Sequence, residues 1–257
     1  MTNTLRSMSE VAAGVHFVEG PASNWVVLIG VDDVALIDSG YPKDLPLVVE
    51  SIQRAGGRVD DLTTIAVTHG HSDHIGSAAA LVDRTGARVL GSTDELPNIR
   101  RTELHQIGVG DILPVLWKPL IARWTVHAVR AGGLGDVGVA SAAGLPASEA
   151  GPDALRLAGH RVLPVLVPGH TPGHTAYLLP DARALVTGDA VISGHPTTRE
   201  LGPQLLAPMW HSDPALAERS LAALAELSAD TVLPGHGPLL RITPPVLVES
   251  ALRRDGD

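Results

Sequence analysis

His69-Gly70-His71-Ser72-Asp73-His74 sets four side chains able to bind a metal within six residues. Imidazole nitrogens and carboxylate oxygens are ligands shared by zinc, iron and manganese. The run directly follows Thr64–Thr68, a short apolar stretch that reads as a strand. A loop that leaves a strand end has its base held by the sheet, so several side chains can aim at one point. The bland reading is a solvated, His-rich turn. Three other segments weigh against it: Pro168-Gly169-His170, Thr187-Gly188-Asp189 and Pro234-Gly235-His236. In each, an apolar run ends in a glycine and then a candidate ligand. Glycine lets the backbone turn sharply towards a site. The candidate ligands are therefore His69, His71, Asp73, His74, His170, Asp189 and His236. The chain has no cysteine. Disulfides, thiolate-bound zinc and iron–sulfur clusters are excluded, and His, carboxylate and water must hold any metal.

The elements that would position these residues form two β-rich halves. His16–Glu19, Trp25–Gly30 and Val34–Asp38 read as strands, with a hairpin turn at Val31-Asp32-Asp33. Lys43–Ala55 and Ile75–Arg84 read as helices closed by glycines, and Ala87–Leu90 as a strand. In the second half, strands are expected near Val162–Val167, Thr175–Leu179, Ala184–Thr187 and Thr231–Leu233. One helix starts at Asp213, with Pro214 at its first position and an apolar stripe through Leu216, Leu221, Leu224 and Leu227. Pro245–Arg253 reads as a terminal helix. Two such halves fit a single α+β domain over residues 1–257, a four-layer αββα sandwich with helices outside two packed sheets. Between Ile99 and Ala150 the periodicity weakens, and Ala131–Gly151 reads as a flexible Gly/Ala/Ser-rich connection that covers one edge of the site.

The motifs THGHSDHIG, PGHTPGHT, TGDA and LPGHG, in that order, resemble those of the metallo-β-lactamase superfamily. The resemblance runs from Leu36-Ile37-Asp38-Ser39-Gly40 to Leu233-Pro234-Gly235-His236-Gly237. It implies that His69, His71 and His170 bind a first metal, that Asp73, His74 and His236 bind a second, and that Asp189 bridges them. It also implies that Asp38 supports the ligand loop by orienting an imidazole N–H or a backbone amide. His174 belongs to the family motif and is read as structural. Asp189 stands where the main class of zinc β-lactamases uses a cysteine, which argues against that class. The implied activity is hydrolysis by a metal-bound hydroxide, with Asp73 also placed to handle a proton. Zinc is the first expectation for the two divalent ions, with iron or manganese compatible with the same ligands.

Composition narrows the substrate. The 257 residues are 44% hydrophobic and carry a formal net charge of -9. An acidic chain with no Lys/Arg run is a poor binder of nucleic acid. No apolar stretch is long enough to span a bilayer and the N-terminus lacks a signal-peptide core, so a cytoplasmic protein is expected. A small molecule carrying an ester, thioester or lactone is the leading substrate. The tyrosine that related lactonases place after the bridging aspartate is replaced here by Ala190-Val191-Ile192. The alternatives are phosphodiester or nucleic-acid hydrolysis, an iron-dependent oxidoreductase, and a non-catalytic metal-binding protein. The Pro- and Gly-containing segment Val191–His211 is expected to be an irregular loop forming the pocket wall, with His195, Arg199, Trp210 and His211 as contacts. His16, His105, His127 and His160 are read as solvated or capping.

Overall fold

The computed structural model describes residues 4–146 and 155–254. The chain opens with an antiparallel meander of β1 (Ser7–Ala12), β2 (Val15–Glu19), β3 (Asn24–Ile29) and β4 (Val34–Ile37). Helix α1 (Leu45–Arg54) leads to β5 (Leu62–Ala66) and α2 (Ala78–Thr85) to β6 (Arg88–Gly91); β4, β5 and β6 pair in parallel. Three helices follow, α3 (Leu96–Ile99), α4 (Val109–Ile112) and α5 (Pro119–Arg130). Strand β7 (Ala143–Gly144) then closes a seven-stranded sheet beside β6.

After a small hairpin, β8 (Arg156–Leu157) and β9 (His160–Arg161), the chain builds a second sheet. It contains β10 (Leu163–Leu166), β11 (Thr175–Leu179) and β12 (Ala184–Gly188). A hairpin of β13 (Ile192–Gly194) and β14 (Leu201–Gln204) and two short helices, α6 (Pro214–Ser220) and α7 (Ala222–Ala225), come next. Strand β15 (Thr231–Pro234) joins β12 in parallel, and α8 (Pro244–Arg254) ends the described chain.

The strands bury both faces, and their period of two assigns each face to a different core. On β3, Val26 and Leu28 pack between the sheets with Tyr177, Leu179, Val186 and Leu233. Trp25 and Val27 face the other way, under Leu47, Val48 and Ile52 of α1 and Leu81 of α2. On β11, Leu178 joins Leu185, Val232, Leu221, Leu224, Leu247 and Val248 in a third core beneath α7 and α8. Three cores separate four layers, the αββα sandwich expected from the sequence.

Some boundaries differ from expectation. A 3-10 turn, Pro42–Asp44, precedes α1, and α2 begins at Ala78 instead of Ile75. The reason is that the ligand loop continues through Ile75, whose N–H bonds the His71 carbonyl. The helix expected after Asp213 is two helices that meet at Leu221. Asp213 does cap the first, accepting from Leu216 N at 2.9 Å. Val191–His211 is not all irregular: β13 and β14 pair within it, and Pro208–Trp210 is a 3-10 turn. The region between Ile99 and Ala150 contains α4 and α5; residues 147–151 of the expected flexible connection lie outside the described residues. Among the described residues, no helix is long and apolar enough to cross a membrane.

Candidate active site

All seven candidate ligands lie beyond the C-terminal ends of strands. His69, His71, Asp73 and His74 follow β5, His170 follows β10, Asp189 follows β12 and His236 follows β15. In the second sheet, β10 and β12 both run against β11 and β15 runs with β12, so their three ligand loops emerge at one end. Two glycines leave the room these loops need. A side chain at Gly235 would collide with Asp189 Oδ1, and Gly188 has a φ of 51° with His174 Nε2 2.7 Å from where a Cβ would stand.

The seven side chains converge. Asp189 Oδ2 lies 3.2 Å from His236 Nε2, 3.6 Å from His170 Nε2 and 4.0 Å from His69 Nε2, while Oδ1 lies 3.4 Å from His74 Nε2. Asp73 Oδ2 is 3.5 Å from His236 Nε2 and 3.9 Å from His74 Nε2. His170 Nε2 faces His71 Nδ1 at 3.1 Å. Three overlapping groups have ligand atoms close enough to share an ion: His69, His71 and His170; His69, His74 and Asp189; and Asp73, His74 and His236. His69 Nε2, His74 Nε2 and Asp189 Oδ1 are buried with no hydrogen-bond partner. Buried polar atoms are rarely left so, and a cation among them satisfies all three.

The opposite edge of four of the five imidazoles is tied down, while His170 Nδ1 is buried without a partner. His71 Nε2 donates to the His105 carbonyl at 2.7 Å, and His236 Nδ1 to the Ala22 carbonyl at 2.7 Å. His74 Nδ1 donates to Asp38 Oδ2 at 2.9 Å. Thr68 Oγ1 donates to the same oxygen at 2.7 Å and lies 3.0 Å from His69 Nδ1, from which it accepts. Asp38 Oδ1 accepts from Thr68 N at 2.8 Å. One carboxylate thus sets the orientation of His69 and His74, and each Nε2 is left facing inward. Asp38 occupies the left-handed region with a φ of 62°, a conformation that Asp tolerates better than most residues.

The charge balance favours cations. Burial and the neighbouring rings hold His69 well below the usual imidazole range; burial, then His71, does the same to His170. Burial opposes charging His74 too, but Asp189, Asp38 and Asp73 around it prevail and raise it to about 10. His236 is raised against the same burial cost by Asp189 and Asp73. The carboxylate charge that raises His74 and His236 would equally attract a cation. His174 is no part of this cluster. Its Nε2 accepts from Asp189 N at 3.0 Å, which fixes the backbone of that residue, and burial lowers it to about 3.

Sequence reasoning missed Glu95. Its buried carboxylate accepts from Gly70 N at 2.8 Å and Asn98 Nδ2 at 2.7 Å through one oxygen. Through the other it accepts from Thr171 Oγ1 at 2.7 Å and Gly173 N at 2.9 Å. It therefore ties the His69–His74 loop to the His170 loop. Its only sequence signal is a carboxylate in the turn after β6, where an acidic first helical turn is ordinary.

Beside the cluster lies a cavity of about 230 Å³ with His71, Asp73, His170, Asp189 and His236 at its floor. His195 and Trp210 line it, together with residues of α4 and α5. His195 Nδ1 accepts from Thr197 N at 3.3 Å, and its ring meets that of His236 edge-on at 4.6 Å. Burial, then His236, pushes its pKa well down, so the neutral ring carries its proton on Nε2. Arg199 is exposed and does not line the cavity, because the β13–β14 turn carries it outward. His211 sits behind the floor, with Nε2 donating to the Leu206 carbonyl at 2.9 Å and its ring 5.3 Å from that of His170. Of the histidines read as solvated or capping, His105 contributes its backbone carbonyl to His71, and His160 Nε2 lies 3.0 Å from the Ile29 carbonyl.

The metallo-beta-lactamase superfamily model matches residues 18–236, a span that contains all seven candidate ligands. The chain belongs to the metallo-beta-lactamase superfamily. Members bind divalent metals, and membership supports a metal-dependent hydrolase. The superfamily relatives include the "Probable metallo-hydrolase YflN" of Bacillus subtilis (strain 168), 27% identical over 88% of this chain and 80% of its own length. A hydroxyacylglutathione hydrolase of Acidiphilium cryptum (strain JF-5) is 29% identical over 76% of this chain, but only 57% of that enzyme is covered. Among solved superfamily structures, a metallo-beta-lactamase family protein from Thermus thermophilus aligns with 96% of this chain and 81% of its own, with a TM-score of 0.65 and 23% identity. That likeness concerns the fold alone.

Proposed function

We propose that this metallo-hydrolase cleaves an ester, thioester or lactone bond of a small organic molecule, using two divalent ions, with zinc as the first choice. His69, His71 and His170 would hold one ion and Asp73, His74 and His236 the other, with Asp189 shared. The observation that carries this reading is the convergence of buried, unpartnered ligand atoms on the floor of an open cavity. Bound divalent ions supply Lewis acidity and lower the pKa of water enough to give a nucleophile near neutral pH. The protein supplies everything else. Asp38, the His105 carbonyl and the Ala22 carbonyl hold the imidazoles in one tautomer and orientation. Asp73 has 14% of its side chain exposed, more than Asp38 or Asp189, and is placed to carry a proton between cavity and solvent. His195 offers a neutral N–H on the cavity wall. The relatives named hydroxyacylglutathione hydrolase support acyl chemistry. A phosphodiester finds no Lys or Arg among the described residues that line the cavity.

The test is a panel of activated esters, thioesters, lactones and a bis-aryl phosphodiester, with zinc-loaded protein, with and without chelator, alongside metal analysis. We expect two zinc ions per chain at saturation and chelator-sensitive cleavage of a carboxylic substrate. Saturation at one ion removes the two-ion reading, and turnover of the phosphodiester alone removes the acyl reading.

A further inference from the structure

The cavity floor is polar, but its roof is hydrocarbon. Ile112 of α4, Leu113 and Leu116 of the turn after it, and Trp124 and Val129 of α5 form one side, and Trp210 closes the other. The mouth is of the same kind: Leu113 lines the cavity while 62% exposed. Some of the few polar groups in the roof are already engaged. Gln106 Oε1 accepts from Ser72 N at 3.0 Å, and Thr125 Oγ1 donates to the Ile121 carbonyl at 2.8 Å. No Lys or Arg is among the described lining residues. A carboxylate bound against this roof would lose water and meet no cation, only uncharged donors such as Trp124 Nε1, which is costly; an alkyl chain would lose only water.

We propose that the substrate is a neutral carboxylic ester or lactone whose acyl part is an unbranched hydrocarbon chain seated between α4, α5 and Trp210. This rests on the hydrolase reading above and narrows it. It separates the protein from glutathione-thioester hydrolysis, whose substrate brings two carboxylates and an ammonium to a roof with no counter-charge. In the reaction, water oxygen bonds to the acyl carbon and the acyl C–O bond breaks. The products are a carboxylate, an alcohol and one proton, which leaves through the cavity. Binding of the remote chain is expressed in kcat/KM, because it is present in the transition state as well as the ground state.

The experiment uses the full zinc-loaded chain and p-nitrophenyl esters of acetate, butyrate, hexanoate and octanoate, with S-lactoylglutathione as the charged comparator. Binding of octanamide, which is not readily hydrolysed, is followed separately by tryptophan fluorescence in metal-free protein. We expect kcat/KM to rise by up to about fourfold for each methylene that enters the roof. S-lactoylglutathione should fall at least tenfold below the octanoyl ester, and octanamide should bind. Leu113→Glu, at an exposed position where folding is not at stake, should lower the octanoyl-to-acetyl ratio. A flat or falling chain-length profile with the acetyl ester still cleaved overturns the proposal and leaves the hydrolase reading standing, as does preference for S-lactoylglutathione. Octanamide binding without turnover of any ester supports the roof and sinks the hydrolase reading. Neither turnover nor octanamide binding overturns both.

Discussion

The floor and the roof of the cavity are built by opposite means. On the floor, four of the five imidazoles are tied through one ring nitrogen to a carbonyl, a carboxylate or a hydroxyl, and Asp38 and Glu95 together accept six hydrogen bonds from the loops that carry the candidate ligands. The roof is an apolar helix pair with only Ile112 and Ile121 of its residues buried. Charge-assisted hydrogen bonds fix direction, whereas apolar contact fixes only proximity. The floor is therefore suited to set the reaction, and the roof to choose the substrate.

Four measurements would break or sharpen that contrast. The largest effect is expected at Asp189→Ala. Turnover should drop well beyond the roughly 10–100-fold typical of a lost outer partner, and the zinc content should fall, while far-UV circular dichroism is unchanged because the three apolar cores are untouched. Full activity in that variant would remove Asp189 from the mechanism.

Glu95→Ala comes next. It strands four donors in a buried place, and hydrogen bonds to a charged group are the stronger kind. The melting temperature should fall by roughly 10 °C, with weaker zinc binding. An unchanged melting temperature would mean that the two ligand loops hold each other without it.

A third measurement separates metal-free from metal-loaded floor by pH. In metal-free protein His74 is raised from 6.5 to about 10, so its contribution to stability is full below pH 6.5 and is lost as the pH rises through about 10. His236 shifts in the same direction. A bound divalent ion would take the place of the proton on His74. The melting temperature of metal-free protein should decline across that window, and that of zinc-loaded protein should not. Parallel curves would show that His74 is not protonated before loading.

The smallest effect belongs to the roof: Trp210→Ala should raise KM by about fivefold with kcat and zinc content kept, as expected for lost uniform binding. An equal fall in kcat would instead give Trp210 a part in the transition state.

Floor and roof were unequally legible in the sequence. The cluster of candidate ligands was legible because its members sit in short runs directly after apolar strands. The sandwich showed because short apolar strand runs and helix start and stop residues are local signals. Glu95 did not show, since its partners are backbone groups and a threonine far along the chain, and nothing local distinguishes it from a surface carboxylate. Helix α5 was also missed. It had a proline at its first position, but its apolar side faces a cavity instead of a sheet, so its pattern lacks a buried stripe. Arg199 was misplaced because segment membership says nothing of which residues a hairpin turn carries outward.

The short stretch Ala22–Asn24 also fixes the order in which the molecule can be completed. Ala22 accepts from His236, Ser23 Oγ donates to the Asp73 carbonyl at 2.7 Å, and Asn24 Nδ2 donates to the carbonyls of Pro234 and Gly237 at 2.9 and 2.8 Å. A segment from the first strands of the chain thus grips its last ligand loop. The contacts to Pro234, His236 and Gly237 span 210 to 214 residues and carry a large loop-closure cost, so they are expected to form late in folding. Tight metal uptake then has to wait for the two sheets to dock, and the appearance of chelator-resistant zinc during refolding would serve as a clock for that final step.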